Sequence, residues 1–404
     1  MATKYLVSGG NGNWLHSSNW SYTSGGTSGA PQPTATDDVI FDANSLNAPI
    51  NVSSSSGCLT VFMSNYTGLI TYSSTLNVGQ SFEYSSGMTT AGSGSLSLGY
   101  NLSTPASVCA INFNGVTHNA GFSFNNNTGT LCTYTITGDM NIMSNVTFAN
   151  SNLSGGAAVK ITINGGDVLC NAGIAIFGNG NRWISGTSKI KLVGSGSGNY
   201  ASGINSYLMN AGLVFQKTGG VINNTTGGVY LRNSQVTYIS GTFTNFNLLQ
   251  VAGVTTADTN NMVWANYSNA GGGLVLLSQL NVAGTFSNAV SLSIGGTGGI
   301  NCNNLTTTKN ILFPIGSTTR IANALTSIGT AAAPILIGSA VAGLKANMIL
   351  SKSGSQDIAH TNGRDIDSNG GLTIYSYRPT SINNCDNWRN LPIITSVKTN
   401  TIIR

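Results

Sequence analysis

The sequence predicts an all-β protein: a right-handed parallel β-helix closed by a small N-terminal cap. Three observations lead there. Short apolar strands alternate with Gly, Asn, Ser and Thr turns, charge is almost absent, and amphipathic helix is missing. Strand candidates lie at 134–136, 159–163, 190–193, 213–216, 229–232 and 236–239, and again at 274–277, 290–294, 311–315, 335–337 and 348–350. Each alternates or is briefly continuous in apolar content, with β-branched residues frequent. Their spacing returns repeatedly to about twenty residues, a solenoid period. The best helical spacing is Ile321, Leu325 and Ile328, set among Thr, Ser and Gly that disfavour a helix.

Charged residues are 7% of the 404, against about 25% in ordinary soluble domains. Apolar residues still make up 40%, enough for a continuous core, which excludes disorder. With only 8 prolines and no Gly-X-Y period, collagen is excluded too. Antiparallel sandwiches favour Asn-Gly hairpins between matched strands. Asn11–Gly12, Asn114–Gly115 and Asn164–Gly165 lack such flanks. In a solenoid each residue sits on its equivalent about 4.8 Å away. Like charges stacked so closely repel, whereas outward Asn, Ser and Thr satisfy one another in ladders. Low charge therefore follows from stacking, and roughly 20 to 25 residues per coil gives about 12 to 18 coils.

The chain is expected to comprise a cap or attachment module (1–52), a β-helical shaft (53–388) and a tail (389–404). The first part holds Trp14, Trp20, Pro31, Pro33, Pro49 and the acids Asp37, Asp38 and Asp42. A solenoid's terminal coil has to be covered, or its open edge pairs with other chains; two indoles suit a plug. Residues 1–159 carry a net −4 and 160–404 a net +9. The expected reading is sparse solvated charge, the alternative a basic half that meets an anionic surface. No Lys or Arg run exists, so no nucleic-acid partner is expected. The six cysteines form no Cys-x-x-Cys pair and no histidine stands at ligand spacing. They read as buried thiols, and no cofactor is expected. The start has no apolar leader and no 18-residue apolar run follows, so neither export nor membrane insertion is expected.

Two stretches carry a resemblance. VSGGNGNWLHSSNWSYTSGG with PTATDDVIFDANS, within Val7 to Ser45, resembles the opening module of β-helical virion proteins of tailed bacteriophages. The sequence from Asn310 to Gly343, then GRDIDSNGGLTIYSY and NNCDNWRN, is similar to their closing coils. The matching positions are Phe313, Pro314 and Gly316, then Gly329, Thr330, Ala331 and Pro334, then Arg364, Asp365 and Asp367, and finally Asn384, Asn387 and Trp388. The resemblance implies a structural protein of the virion, a fibre, spike or decoration made in the host cytoplasm without a leader. It implies an N-terminal module docked on capsid or tail proteins, a homotrimer, and contact with host surface glycans. Trp14, Trp20, Asp365, Asp367 and Trp388 become structural caps. A bacterial surface adhesin is a further alternative.

The enzymatic alternative is a tailspike-type polysaccharide depolymerase. Glycoside hydrolysis uses two carboxylates about 5 to 9.5 Å apart. Glu83 is the single glutamate, and only Asp139, Asp167 and Asp258 stand between it and Asp357. Asp139 and Asp167 are expected on adjacent coils, so they form the one plausible pair. No catalytic residue is assigned. Asp37, Asp38 and Asp42 are weak calcium candidates, without an Asp-x-Asp-x-Asp-Gly loop; turn duty is commoner for such aspartates. Asp365 and Asp367 share a face if extended. Trp183 beside Arg182 offers a sugar-stacking platform or, more ordinarily, a packed ring. The run from Gly194 to Gly198 lacks the Lys of a P-loop.

Overall fold

A computed structural model describes residues 1–7, 10–45, 47–99, 108–125, 132–150, 159–178, 182–202, 206–209, 212–226, 228–232 and 234–391. The chain divides into two compact units, Met1–Phe246 and Asn247–Arg404. Each is a parallel β-solenoid. Besides strands, the described residues form two short 3-10 turns, Ser17–Asn19 and Ala43–Ser45, and no helix long and apolar enough to cross a membrane.

In the first unit a rung has three sides. Thr60–Met63, Leu69–Tyr72 and Thr75–Val78 make one. Phe82–Glu83, Thr89–Ala91 and Ser95–Leu98 make the next. Each strand pairs in parallel with its equivalent: Val61 with Phe82, Ile70 with Thr90, Leu76 with Leu96. Alternation sends every second residue inward, so Ile70, Tyr72, Leu76 and Val78 are buried. Aromatic rings continue along the interior: Tyr84 meets Phe113 of the next rung at 4.9 Å, and Phe124, 4.9 Å from Phe122 of its own strand, stacks on Phe148 of the next rung at 5.1 Å.

A polar chain is embedded among them. Tyr72 Oη lies 2.9 Å from Tyr84 Oη, which lies 2.7 Å from His118 Nδ1, and His118 Nε2 lies 3.0 Å from the Gly121 carbonyl. A carbonyl only accepts, so Nε2 carries the proton. Nδ1 then accepts from Tyr84, and Tyr84 in turn accepts from Tyr72. All three side chains are fully buried.

The second unit displays the ladders that low charge demands. At a 19-residue interval, Asn266 Nδ2 donates to Asn247 Oδ1 at 3.1 Å, and Asn323 Nδ2 to Asn304 Oδ1 at 3.0 Å. Between them, Thr285 N donates to Asn266 Oδ1 and Asn304 Nδ2 to Thr285 Oγ1. Such ladders are expected on the outside, but one also runs inside. Asn269 donates to Asn288 Oδ1 at 3.2 Å and Asn288 to Thr307 Oγ1 at 3.1 Å, all three at most 1% exposed. An inward corner tolerates Asn because the same amide also reaches a backbone carbonyl, that of Val290, at 2.7 Å.

Ile321 and Leu325 belong to a strand, Thr318–Ile328, not a helix. Cys302 pairs with Ile321 and Asn304 with Ala324, so two residues of this strand oppose one of its neighbour. Ile321 and Leu325 are buried and Ile328 is 52% exposed; four residues apart, the first two share a face of an extended strand as readily as of a helix.

Some of the sparse charge is not solvated. Lys4, Asp37, Lys217 and Asp365 are buried, at 3%, 7%, 1% and 3% exposure. Lys217 Nζ donates to the Asn171 and Val193 carbonyls at 2.5 Å each. Lys4 Nζ lies 3.9 Å over the Tyr22 ring, while Asp37, Lys217 and Asp365 serve as fixed hydrogen-bond acceptors or donors, a use that composition does not reveal.

Candidate functional site

The N-terminal residues are woven into the ladder itself. Thr3–Leu6 pairs in parallel with Asp38–Phe41, and that strand with Thr60–Met63. The other edge of Thr3–Leu6 meets Trp20–Ser21 in antiparallel register, Leu6 opposite Trp20. A reversed strand covers the first edge. Trp14 and Trp20 are fully buried and meet edge to face at 5.0 Å, both against Phe41. Trp20 Nε1 donates to the Trp14 carbonyl at 2.8 Å. Gly10 is required nearby, because a Cβ there would stand 1.8 Å from Asn19 Oδ1, and Asn19 ties this loop through Gly12 N and Asn11 Oδ1.

The three neighbouring acids point to different partners. Asp37 accepts from Ala2 N at 2.9 Å and from Thr34 N and Oγ1 at 3.0 and 2.9 Å. Burial pushes its carboxyl up, but the Thr34 and Ala2 hydrogen bonds and nearby Lys4 outweigh this and hold it below the usual range. Asp38 accepts from Thr60 Oγ1 at 2.6 Å on the next rung. Asp42 accepts from Asn44 N and Ser45 N at 2.9 and 3.2 Å, capping the turn Ala43–Ser45. Among the described residues no group of three or more His, Cys, Asp or Glu is gathered for a metal.

At the other end the motif residues are corners. Asp365, Asn384 and Asn387 adopt left-handed backbone, φ +55°, +49° and +52°, a region Asn and Asp enter more readily than other side chains. The left-handed Asp365 interrupts the extended run, so Asp365 and Asp367 do not continue one strand face. Asp365 accepts from Asn384 Nδ2 at 2.6 Å and Gly343 N at 2.9 Å, with Arg364 Nε at 3.7 Å. These hydrogen bonds, the Asn384 one foremost, lower its pKa. Asp367 accepts from Asn369 N at 2.8 Å. Trp388 is buried against Gly363, where a Cβ would approach the indole to 3.2 Å. The Phe313, Pro314 and Gly316 turn closes through Ser317 onto the Pro314 carbonyl, and Thr330 and Ala333 exchange backbone hydrogen bonds ahead of Pro334.

Asp139 and Asp167 do stand on adjacent rungs: Met140 pairs with Val168. Both carboxylates are engaged. Asp139 Oδ1 accepts from Asp167 N at 2.8 Å; Asp167 Oδ1 accepts from Lys189 N at 2.8 Å and its Oδ2 from Lys191 Nζ at 2.7 Å. Glu83 accepts from Asn112 and Asn114 at 3.2 and 3.1 Å. Each links one rung to the next. Arg182 and Trp183 lie in the strand Arg182–Ser185, but their side chains, and the tail beyond Leu391, are outside the described residues.

A concave surface that the sequence did not announce lies in the second unit: a groove of about 560 Å³. One wall is an outward column, Val263, Asn281, Asn301, Arg320 and Ile349, each the register partner of the next. The other is set by Ala283, Asn303 and Ala322: Ala283 and Ala322 sit in two-residue bulges that flank the single residue Asn303 of the rung between them. The two bulges bend their strands on either side of Asn303, and the small Ala283 and Ala322 leave the hollow open. No family model, curated protein or solved structure matches the chain.

Five of the six cysteines are buried, and Cys385 is partly exposed. Burial pushes the Cys302 thiol up to about 12 and the thiols of Cys58 and Cys170 higher still, which suppresses the reactive thiolate. The native protein is therefore expected to release colour from a disulfide reagent at Cys385 alone, and at all six after unfolding. A shortfall of two thiols in the unfolded protein would instead mean that Cys109 and Cys132, whose sulfurs lie 3.9 Å apart, are bridged.

Proposed function

We propose that the chain is a non-enzymatic structural protein of a bacteriophage particle. It would be a rigid β-helical fibre or decoration, anchored on capsid or tail proteins through its N-terminal residues and displayed for attachment to host surface glycans. Side-by-side association of three copies is part of this reading, since closed symmetric assemblies are the usual way for such surfaces to be covered. Many weak contacts on one particle then sum to firm attachment.

The observation that carries the reading is how the carboxylates are used. Asp139, Asp167 and Glu83 serve as acceptors that lock one rung to the next. A depolymerase would need a free acid and a free base facing the same sugar. The motif resemblance at both ends supports the virion assignment. The test is an antibody against the chain applied to purified particles, with electron microscopy to locate the label, beside a reducing-end assay on host capsule. Label on heads or tails without new reducing ends is expected. Unlabelled particles, or polymer cleavage by the purified chain, would overturn the proposal.

A further inference from the structure

The groove of the second unit has the chemistry of an acidic sugar polymer's complement. From Val263 to Ile349 it spans four rung steps, roughly 19 Å at the usual strand spacing, so it suits an extended chain better than a compact ligand. Val263, 57% exposed, and Ile349 offer apolar surface at its ends, and Ala283 and Ala322 line it between them, over the buried Val282, Cys302 and Ile321. Asn281 on one rung and Asn301 and Asn303 on the next supply amides.

Charge complementarity comes from Arg320. It is the one cation among the lining residues, which include no carboxylate. It is exposed and forms no ion pair among the described residues, whereas Lys191, Lys345 and Arg364 each face an aspartate. The asparagine ladder also stops at this point. Asn301 Nδ2 donates to Asn281 Oδ1 at 2.9 Å, but Asn301 Oδ1 is buried and unpaired, and the next rung offers Arg320 in place of another amide. A buried acceptor without a partner is costly. A ligand that draws the guanidinium outward and brings a hydroxyl to Asn301 resolves it.

We propose that this groove binds a linear acidic glycan, with a sugar carboxylate on Arg320, a neighbouring hydroxyl on Asn301 and sugar C–H faces on the apolar wall. A guanidinium fork matches a carboxylate in geometry as well as charge. Nucleic acid is disfavoured because a phosphate backbone needs a row of cations. The proposal rests on the attachment reading and names the polymer class that the attachment would select.

The test titrates the full chain with oligogalacturonate and with a neutral oligosaccharide of equal length, by calorimetry at low and high salt. The acidic oligomer is expected to bind and the neutral one to bind at least about tenfold more weakly, with affinity falling as salt rises. Arg320→Gln is expected to cost the acidic oligomer at least about tenfold, the scale of one charged hydrogen-bonded contact. Ala322→Trp should block the groove without touching charge. Arg378→Gln, which removes a cation stacked on Tyr377 and absent from the groove lining, should change nothing. Equal binding of both oligomers, or an indifferent Arg320→Gln, would overturn the inference. So would Ala322→Trp converting an oligomer to a monomer, which would make the groove an interface between copies. Particles that carry the chain and adhere to host cells while the acidic oligomer fails to bind would sink the groove and leave the attachment reading standing. Absence of the chain from particles would sink that reading and leave the titration to speak for the groove.

Discussion

Trp20→Ala is expected to destabilise the N-terminal rungs by about 3 to 5 kcal/mol, the usual range for emptying a buried Trp site. The ring is fully buried, meets Trp14 at 5.0 Å and Phe41 at 6.3 Å, and holds the Trp14 carbonyl through Nε1. Its strand is also what covers the first edge, with Leu6 opposite Trp20. Loss of the ring therefore loosens the cover as well as the core. In a stack where each rung contacts mainly its neighbours, opening begins at the end and propagates inward. Hydrogen exchange should report lost protection first in Thr3–Leu6 and Asp38–Phe41, with later rungs following. Gel filtration should report self-association, because an uncovered edge pairs with another chain. Trp20→Phe should retain much of the packing and lose the hydrogen bond. If the amides of residues 3–6 stay protected in Trp20→Ala, the ring is not a plug.

The fold is legible because the pattern that determines it is local. Alternation within a few residues, as in Gly121–Asn125, decides which side chains turn inward. Scarcity of charge points to the stacking, and the Asn247, Asn266, Asn304 and Asn323 ladder is its physical counterpart. What stays hidden depends on rung-to-rung register. Equivalent positions are 24 residues apart from Thr117 to Asn141, 28 from Asn141 to Leu169, and 19 from Asn247 to Asn266. With intervals that vary, no sequence pattern announces that Tyr84 meets His118 or that Asn301 lies beneath Arg320. The groove is hidden for a second reason: it is shaped by bulges, which only the pairing of neighbouring rungs reveals. Asp139 and Asp167 stand on adjacent coils as their spacing suggests, but the engagement of Asp167 by Lys189 N and Lys191 depends on a third rung. The left-handed corners at Asp365, Asn384 and Asn387 leave a trace, because Asn and Asp recur where the backbone turns that way.

Stability of the Met1–Phe246 unit is expected to fall as pH drops from about 6.5 towards about 4, by about 3 kcal/mol across that window, because of His118. Burial disfavours the imidazolium and takes its pKa from 6.5 to about 4, although the Gly121 carbonyl pulls the other way. The unfolded chain therefore binds a proton in this range that the folded chain refuses. The folded state is fully favoured above the unfolded pKa and loses ground as pH falls to the folded one. Asp37 and Asp365 act in a separate, lower window. Their pKa values are held below 3.8 in the fold, so the stability they contribute is present above 3.8 and is lost only on further acidification. His118→Phe separates these effects. It removes the titrating group and leaves Tyr84 without its acceptor, so the variant should be less stable than wild type at neutral pH yet nearly flat down to about pH 4. Urea unfolding at a series of pH values, with the His118 ring proton followed by NMR, measures both. A folded-state midpoint near 6.5 would mean that water reaches the ring, and the buried Tyr72–Tyr84–His118 chain would then not be the closed network its geometry describes.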